Sequence, residues 1–376
     1  MKLFDVYPLF NITPVKAKGC ILWDSIGNHY LDLYGGHAVI SIGHSHPHYV
    51  TKITDQVKKI GFYSNSIINP LQTELAEKLG RLSGYSDYQL FLCNSGTEAN
   101  ENAIKLASFV TGKKKFISFK KGFHGRTSAA VALTDNPKII APVNETDNAI
   151  LLQLGDLNAI ENELKSGEVA AIIIEGIQGI GGINIPEDNF LQELKSLTEK
   201  YNSLLILDEI QSGHGRSGKF FAHQYSGVKP DMVTMAKGMG NGFPIGGVLI
   251  QPELKPWPGM LGTTFGGNHL ACAAGIAVLD VIENERLIEN SREAGNYIMK
   301  RLKGLDAGLQ IRGKGLMIGI EFPFQIQKLR KKLLFEYKIF TGVSGNNIIR
   351  LLPPLNLRIS EAEHFLHVFE KAFSEV

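Results

Sequence analysis

Three apolar runs in the middle of the chain limit its fold more than any other feature. Residues 169–176, 204–209 and 231–238 are rich in β-branched and aliphatic side chains, and each run reaches a charged residue and soon a glycine. Such runs are typical of buried strands. Between the first two, residues 188–202 carry apolar side chains at helical spacing, with Asp188 as a candidate N-cap. Strand, helix and strand in this order predict a parallel sheet and an α/β fold.

The pattern continues upstream of these runs and changes downstream of them. Upstream, helical spacing predicts helices over 70–84 and 97–112, and apolar runs predict strands over 114–121 and 148–154. After about residue 265 we expect a separate α+β lobe, and no Pro/Ser-rich linker precedes it, so the lobes should pack tightly. The elements predicted for this lobe are helices over 271–287 and 291–303, and strands within 309–322 and 347–354.

Composition excludes several classes of protein. The 376 residues carry 39 Lys and Arg against 37 Asp and Glu, a formal charge of +2, which disfavours a nucleic-acid partner. Cys20, Cys93 and Cys272 are odd in number and lack CxxC spacing, as expected for a cytoplasmic protein. Residues 1–10 lack the apolar core of a signal peptide, and no uncharged apolar run has the length of a membrane span. We therefore expect neither secretion nor membrane insertion.

Small and hydroxylated residues precede the predicted helix 97–112. Ser95, Gly96 and Thr97 stand where the unpaired amides and the positive end of the helix dipole form a phosphate site, to which two hydroxyl groups add donors. A plain N-cap explains the same residues equally well.

A carboxylate ends the second apolar run. Asp208 follows a nearly continuous series of aliphatic residues. Burying an unpaired charge in such an apolar setting costs roughly several kcal/mol, so the carboxylate needs a cationic partner. A protonated pyridine nitrogen would serve, and Gln211 could bond a neighbouring ring oxygen. The competing interpretation is that Asp208 caps a loop or pairs with a nearby arginine such as Arg216.

A lysine ends the third run. Lys237 is followed by glycines at 238, 240 and 242, which allow a ligand to approach the backbone closely. Most lysines are solvated surface residues. At the end of a buried strand, however, a lysine with a lowered pKa suits a Schiff-base nucleophile.

Two arginines and a histidine cluster complete the candidates. Arg126 and Arg350 could each offer a planar two-donor fork to a substrate carboxylate, although a surface ion pair is the ordinary role of either residue. The histidines in 44–48 have no Cys, Asp or Glu at metal-ligand spacing, so no metal site is predicted. The chain also lacks a P-loop, an HExxH motif and a strand-linked GxGxxG.

Eight segments in fixed order resemble class III aminotransferases of the pyridoxal phosphate (PLP) fold type I, most closely the acetylornithine aminotransferase branch. The resemblance covers nearly the whole chain and implies a large domain with a mainly parallel seven-stranded sheet flanked by helices, plus a smaller α+β domain. It further implies that 1–45 contribute to the small domain, that 46–265 form the PLP-binding domain and that 266–376 form the rest of the small domain. The segments are 36–47, 95–100, 123–127, 208–218, 236–247, 263–274, 312–321 and 348–355.

The resemblance assigns cofactor roles to residues that match the family's motifs. Lys237 matches the Schiff-base lysine that also carries the proton, and Asp208 matches the partner of the ring nitrogen. The remaining matches are Gln211 near the ring hydroxyl, Phe123 on the ring face with His124 beside it, and Ser95, Gly96 and Thr97 at the phosphate. Thr264 matches a phosphate contact made by the neighbouring subunit, which implies a homodimer with shared active sites.

The resemblance also implies a reaction. Arg126 and Thr263 match substrate contacts, and Arg350 matches the arginine that binds the α-carboxylate of glutamate or 2-oxoglutarate. The implied activity is transfer of the δ-amino group of an N2-acylornithine to 2-oxoglutarate in arginine biosynthesis. Ornithine or 4-aminobutyrate transamination is the alternative within the family, and an aminomutase or epimerase is the alternative of other chemistry. Arg350 favours transamination.

One position departs from the family. The family's EPxQGEGG reads EGIQGIGG at 175–182, so Glu175 and Gln178 remain while Ile180 replaces a glutamate thought to mask the counterpart of Arg350. An unmasked guanidinium favours a further anionic group. We therefore hypothesise a donor with a second carboxylate, which N-succinylornithine has and N-acetylornithine lacks.

Overall fold

The computed structural model describes residues 1–305 and 308–375, and their strands form two seven-stranded sheets. The strands are β1 (Pro14–Lys18), β2 (Ile21–Asp24), β3 (His29–Leu33), β4 (Gln89–Cys93), β5 (Lys115–Phe119), β6 (Ala149–Leu152), β7 (Val169–Glu175), β8 (Leu204–Asp208), β9 (Met232–Met235), β10 (Gly246–Ile250), β11 (Gln310–Lys314), β12 (Met317–Glu321), β13 (Ile339–Ser344) and β14 (Ile348–Leu351).

Helices connect and cover these strands. They are α1 (Gly35–Ala38), α2 (Pro47–Lys59), α3 (Pro70–Ser83), α4 (Gly96–Thr111), α5 (Ser128–Ala132), α6 (Leu157–Leu164), α7 (Asp188–Lys200), α8 (His269–Asn284), α9 (Leu287–Lys303), α10 (Gln327–Phe335) and α11 (Ile359–Ser374). Among the described residues, none of these helices combines the length and the apolarity that crossing a bilayer requires.

The large sheet has the strand order β4-β10-β9-β8-β7-β5-β6, in which β10 alone runs antiparallel to its neighbours. The prediction of a mainly parallel seven-stranded sheet is therefore confirmed. Both faces are covered, which explains why β7 and β8 are apolar throughout. Ile173 and Ile206 pack with the α4 side, whereas Ile172 and Leu205 pack with α6 and α7.

The second sheet has the order β1-β2-β3-β13-β14-β12-β11 and is antiparallel except between β3 and β13. Strands from the start of the chain thus pair with strands from its last part. Helices α9, α10 and α11 cover this sheet, and their core includes Phe365 and Phe369 against Ile318 and Ile349. The predicted smaller α+β unit is confirmed.

Some element boundaries differ from the sequence predictions. The helix predicted over 271–287 ends at Asn284, because Arg286 adopts a left-handed conformation with φ of 53° and lets α9 begin at Leu287. No glycine marks that break, so the pattern did not reveal it. Asp188 is also not an N-cap: Glu187 holds that position, and Asp188 lies in the first turn of α7.

The histidines of residues 44–48 have structural partners. Each bonds a different carboxylate at 2.8–2.9 Å: His44 bonds Asp32, His46 bonds Glu285 and His48 bonds Asp280. These contacts tie the segment before α2 to β3 and to the end of α8.

Candidate active site

Five strands of the large sheet end at one edge and place the candidate residues together. β4 points the same way as β5, β7, β8 and β9, because β10 is antiparallel to both β4 and β9. Ligands of such sheets bind at the carboxyl ends of the parallel strands. Here those ends surround a cavity of about 250 Å³, lined by Gly96, Thr97, Phe123, His124, Gly125, Arg126, Glu175, Ile180, Asp208, Ile210, Gln211 and Lys237.

Asp208 is the buried anion at the base of this cavity. Its Oδ2 accepts hydrogen bonds from Asn100 Nδ2 at 2.8 Å and lies 2.9 Å from His124 Nδ1, while its Oδ1 accepts one from the Ile210 amide at 3.1 Å. These N–H groups stabilise the carboxylate, and no Arg or Lys in the described part of the chain forms a salt bridge with it. A cationic nitrogen in the cavity would therefore meet a ready anionic partner.

Arg216, the alternative partner of Asp208, lies elsewhere. Its guanidinium is buried and donates to the backbone carbonyls of Leu316, Pro353 and Ile40. Burial lowers the pKa of Arg216 to about 9. The structure therefore contradicts the pairing of Arg216 with Asp208.

Asn100 is a site residue that the sequence did not reveal. Besides Asp208, its amide donates to the His124 carbonyl at 2.6 Å, and its oxygen accepts from Thr234 Oγ1 at 2.7 Å. The available signal was an asparagine at a core-facing position of α4, next to the buried Ala99 and three residues before Ala103. A buried amide there requires polar partners, and Asp208 is one of them.

Lys237 follows β9 and lines the same cavity as Asp208. Its backbone lies in the left-handed region with φ of 45°, a strained conformation for a residue with a side chain and one found preferentially at functional sites. Burial lowers the pKa of the Lys237 ammonium, while the charges of Asp208 and Glu175 act in the opposite direction. A lysine in this setting releases its proton more easily than a surface lysine, which increases its nucleophilicity.

The turn after β4 leaves backbone donors free. Ser95 is the N-cap of α4, and its Oγ accepts from the Glu98 amide at 3.3 Å. The amides of Gly96 and Thr97 begin the helix and therefore have no intrahelical acceptors. Thr97 Oγ1 lies 2.6 Å from Thr127 Oγ1. Ser95 is therefore the N-cap that one interpretation predicts, whereas the phosphate site at the next two amides stays a prediction.

Glu175, at the end of β7, fixes two loops of the cavity. Its Oε1 accepts from the Phe123 amide and its Oε2 from the Gly179 amide, both at 2.9 Å. Burial, with a smaller effect of the Asp208 charge, raises the pKa of Glu175 to about 7, against the lowering effects of His124 and of the Gly179 and Phe123 amides. Glu175 thereby positions the ring of Phe123 and the loop that carries Ile180, a role its place in the sequence did not indicate.

Arg350 lies in β14 of the small sheet and contacts Gln211, which lines the cavity. It is buried; its Nε donates to the Val343 carbonyl at 3.0 Å, and its Nη1 lies 3.4 Å from Gln211 Oε1. Gln211 in turn donates to the His37 carbonyl at 3.1 Å. Burial lowers the pKa of Arg350. The surface ion pair considered for Arg350 is excluded, since no carboxylate in residues 1–305 or 308–375 bonds its guanidinium.

The remaining candidates are less enclosed. Arg126 is exposed at the mouth of the cavity. Thr263 Oγ1 accepts from Asn94 Nδ2 at 3.2 Å, and Thr264 is exposed. Neither threonine lines the cavity formed by the described residues of a single chain.

The donor set of the cavity fits PLP. Asp208 can pair with a protonated ring nitrogen, the Gly96 and Thr97 amides can bind a phosphate, and Lys237 offers an amine of lowered pKa. Phe123 and Ile210 supply apolar surface for a flat ring. Fold and site together define a PLP-dependent enzyme of fold type I.

Comparison with known proteins identifies the family. The chain belongs to the class-III aminotransferases, which it matches over residues 5–373. It is 38% identical to the acetylornithine aminotransferase of Archaeoglobus fulgidus over 370 residues, covering 97% of this chain and 96% of that protein. It is 39% identical to the acetylornithine aminotransferase of Nitrosomonas europaea over 374 residues, covering 96% and 94%. The structure of ornithine aminotransferase from Toxoplasma gondii superposes with a TM-score of 0.91 at 29% identity, covering 98% of this chain and 91% of that chain.

Proposed function

We propose that this enzyme moves the δ-amino group of an N2-acylornithine to 2-oxoglutarate, as a step of arginine biosynthesis. The donor leaves as N-acylglutamate 5-semialdehyde and the acceptor becomes glutamate, so an amino group and a hydrogen are exchanged for a carbonyl oxygen. The main support is Arg350, a buried guanidinium that has no carboxylate partner among the described residues and bonds Gln211 in the cavity of Lys237. A buried unpaired cation needs an anionic ligand, and 2-oxoglutarate brings two carboxylates.

The residues of the cavity divide the work of binding the cofactor. When bound, PLP supplies an electron-accepting ring that stabilises negative charge at the reacting carbon. We assign Asp208, oriented by Asn100 and His124, to the ring nitrogen, and the amides of Gly96 and Thr97 to the phosphate. The remaining assignments are Ser95 to the turn that presents those amides, Phe123 to the ring face and Gln211 to the ring hydroxyl.

Lys237 has two tasks. It would attach the cofactor through Nζ, and as a free amine it would take a proton from the substrate carbon that carries the transferred nitrogen and deliver it to the cofactor carbon bonded to the same nitrogen. Its lowered pKa increases the fraction of Nζ in the basic form at neutral pH.

The substrate carboxylates are assigned to arginines. Arg350 binds the α-carboxylate of 2-oxoglutarate or glutamate, and Arg126 at the mouth of the cavity binds the carboxylate at the far end of the substrate. Ile180 is 39% exposed and lines the cavity, so an apolar surface stands where a glutamate would repel these carboxylates.

We propose that the enzyme works as a homodimer. Two segments with exposed apolar residues meet: Asn65 Nδ2 donates to the carbonyls of Thr263 and Gly266, and the rings of Phe62 and Phe265 lie 5.3 Å apart. An apolar surface of this kind is typical of a subunit interface. Thr264 would then reach the phosphate in the partner's cavity, and Thr263 its substrate.

A cytoplasmic location is part of the proposal. Cys20, Cys93 and Cys272 are buried free thiols, and burial raises the pKa of each, to about 12 for the latter two. Such thiols resist oxidation but offer no disulfide to stabilise a secreted protein.

A substrate panel tests the proposal. The holoenzyme is assayed with 2-oxoglutarate and, in turn, N-acetylornithine, N-succinylornithine, ornithine and 4-aminobutyrate, and glutamate formation is measured. We expect kcat/KM for an acylated donor to exceed that for ornithine by at least about tenfold. A preference for ornithine or 4-aminobutyrate would refute the proposed donor while leaving transamination intact.

A further inference from the structure

A second cavity adjoins the active site at Arg126. Arg126 lines both the inner cavity of Lys237 and an outer cavity of about 660 Å³. Tyr34, His37 and Arg330 also line the outer cavity. A substrate that extends past Arg126, away from Lys237, therefore enters a space that the inner site does not use.

Arg330, on α10, contributes a buried unpaired donor to the side chains around this outer cavity. Its Nη2 donates to the Thr341 carbonyl at 3.1 Å, whereas its Nε is buried and has no hydrogen-bond partner in the described chain. Burial lowers the pKa of Arg330, which reflects the loss of water around its charge. A buried donor without an acceptor destabilises the protein, and a bound anion removes that penalty.

The charged side chains that line the outer cavity are all basic. Arg126, Arg330 and Lys331 line it, no Asp or Glu among the described residues does, and none of these three cations forms a salt bridge within that part of the chain. The field at this surface attracts anions.

Apolar side chains occupy the rest of the wall. Leu9, Phe10, Leu334 and Phe340 line the outer cavity, and the ring of Phe10 packs edge-on against Phe335 of α10 at 5.9 Å. A wall that combines apolar surface with guanidinium groups suits a short methylene chain ending in a carboxylate.

We propose that Arg330 binds a carboxylate at the end of the donor's acyl group, so that the preferred donor is an N2-dicarboxylacylornithine such as N-succinylornithine. This inference rests on the proposed function. With the α-carboxylate of the donor at Arg126, the acyl group on the same carbon points into the outer cavity, and its terminal carboxylate reaches the fork of Arg330. An acetyl group leaves that fork empty.

The second substrate does not need Arg330. The two carboxylates of 2-oxoglutarate are assigned to Arg350 and Arg126, which leaves Arg330 without a role in the second half of the reaction. Substituting Arg330 should therefore change the kinetics with N-succinylornithine but not the binding of 2-oxoglutarate or glutamate. Substituting an arginine with a purely structural role would not separate the substrates in this way.

The test compares two donors in three proteins. Wild type, Arg330→Gln and the control Lys328→Gln, which removes an exposed charge from the same helix outside the cavity, are assayed with N-succinylornithine and N-acetylornithine. We expect wild type to favour the succinyl donor, and Arg330→Gln to lower kcat/KM for it by about 10- to 100-fold. The same variant should change kcat/KM for the acetyl donor and KM for 2-oxoglutarate by less than about threefold, and Lys328→Gln should match wild type.

Two further measurements keep the proposal testable if Arg330→Gln does not fold. Arg330→Lys keeps the charge but loses the fork, and its succinyl preference should be intermediate. In wild type, N-succinylnorvaline, which lacks the reacting amine, should inhibit about tenfold more strongly than N-acetylnorvaline.

The outcomes separate the two proposals. An equal loss for both donors in Arg330→Gln, or no loss for either, would overturn the role of Arg330 and leave the proposed function standing. Turnover of ornithine without turnover of either acylated donor would overturn both.

Discussion

Replacing Gly179 with alanine should weaken the binding of 2-oxoglutarate without unfolding the enzyme. A Cβ atom at Gly179 would lie 1.8 Å from Gln211 Oε1 and 2.7 Å from Gln211 Cδ. Contacts under 3.0 Å are essentially never observed, so the amide of Gln211 must move by more than about 1 Å. That movement breaks its bonds to Arg350 and to the His37 carbonyl, which are already 3.4 and 3.1 Å long.

The magnitude follows from those two hydrogen bonds. Each contributes about 1 kcal/mol, so losing both costs up to about 2 kcal/mol of binding free energy at the carboxylate site. KM for 2-oxoglutarate should rise roughly 5- to 30-fold in Gly179→Ala. The backbone of Gly179 is not left-handed, and the end of the Gln211 side chain is mobile enough to yield, so the Tm should fall by only a few degrees, about 2–4 °C per kcal/mol.

A double-mutant cycle checks the cause. In a Gln211→Ala background the added methyl group meets no amide, so Gly179→Ala should not raise KM for 2-oxoglutarate any further. Steady-state kinetics of all four proteins give the coupling free energy. If the two substitutions were additive, the clash with Gln211 would not be the mechanism, and the role of Gln211 in orienting Arg350 would be refuted.

Three other substitutions test separate parts of the site. Lys237→Ala should yield a colourless protein without transaminase activity, whereas wild type should have a visible absorbance that borohydride removes; a yellow variant would contradict the assignment. The pKa of Glu175 is about 7 in the folded protein and 4.5 ordinarily. Between pH 4.5 and 7 the folded protein therefore keeps a proton on Glu175 that the unfolded chain has lost. The free energy of unfolding should thus decrease by about 3 kcal/mol as the pH rises from 4.5 to 7, and Glu175→Gln, followed by urea unfolding across this range, should abolish that decrease. Glu209, the buried residue after Asp208, supports the loop behind the cavity by accepting hydrogen bonds from Ser212, Ala222 and His223. Glu209→Ala leaves those donors unpaired and should lower the free energy of unfolding by about 3–5 kcal/mol, whereas a loss under about 1 kcal/mol would show that water replaces the carboxylate.

The sequence predicted the large sheet well because both faces of that sheet are covered. Burial on both faces requires apolar residues at every position, and the strands β7 and β8 are therefore visible as uninterrupted runs. The first strands, β1 to β3, are short and partly exposed, and neither their composition nor their spacing marked them. Their partner β13 lies some 300 residues further along the chain, a distance no local pattern spans.

The same distinction applies to the site. Lys237, Asp208 and the Ser95–Thr97 turn each end or follow a strand, and the strand order alone brings such positions to one edge. Asn100 and Glu175 act through contacts between residues far apart in the chain, Asn100 with Asp208 and Glu175 with Phe123. Nothing in the surrounding sequence specifies those partners, and a buried polar side chain was the only sign of either residue.

Arg216 has a consequence for substrate choice. Its guanidinium joins the loop after β8 to the turn between β11 and β12, to the end of β14 and to the segment after α1. Lys237 follows a strand of one sheet and Arg350 belongs to the other, so these buried bonds help to set the distance between the amine and the proposed carboxylate anchor. On those proposed roles, the contact between the two sheets sets the substrate length, and substitutions around Arg216, remote from any ligand, should change which chain lengths are accepted.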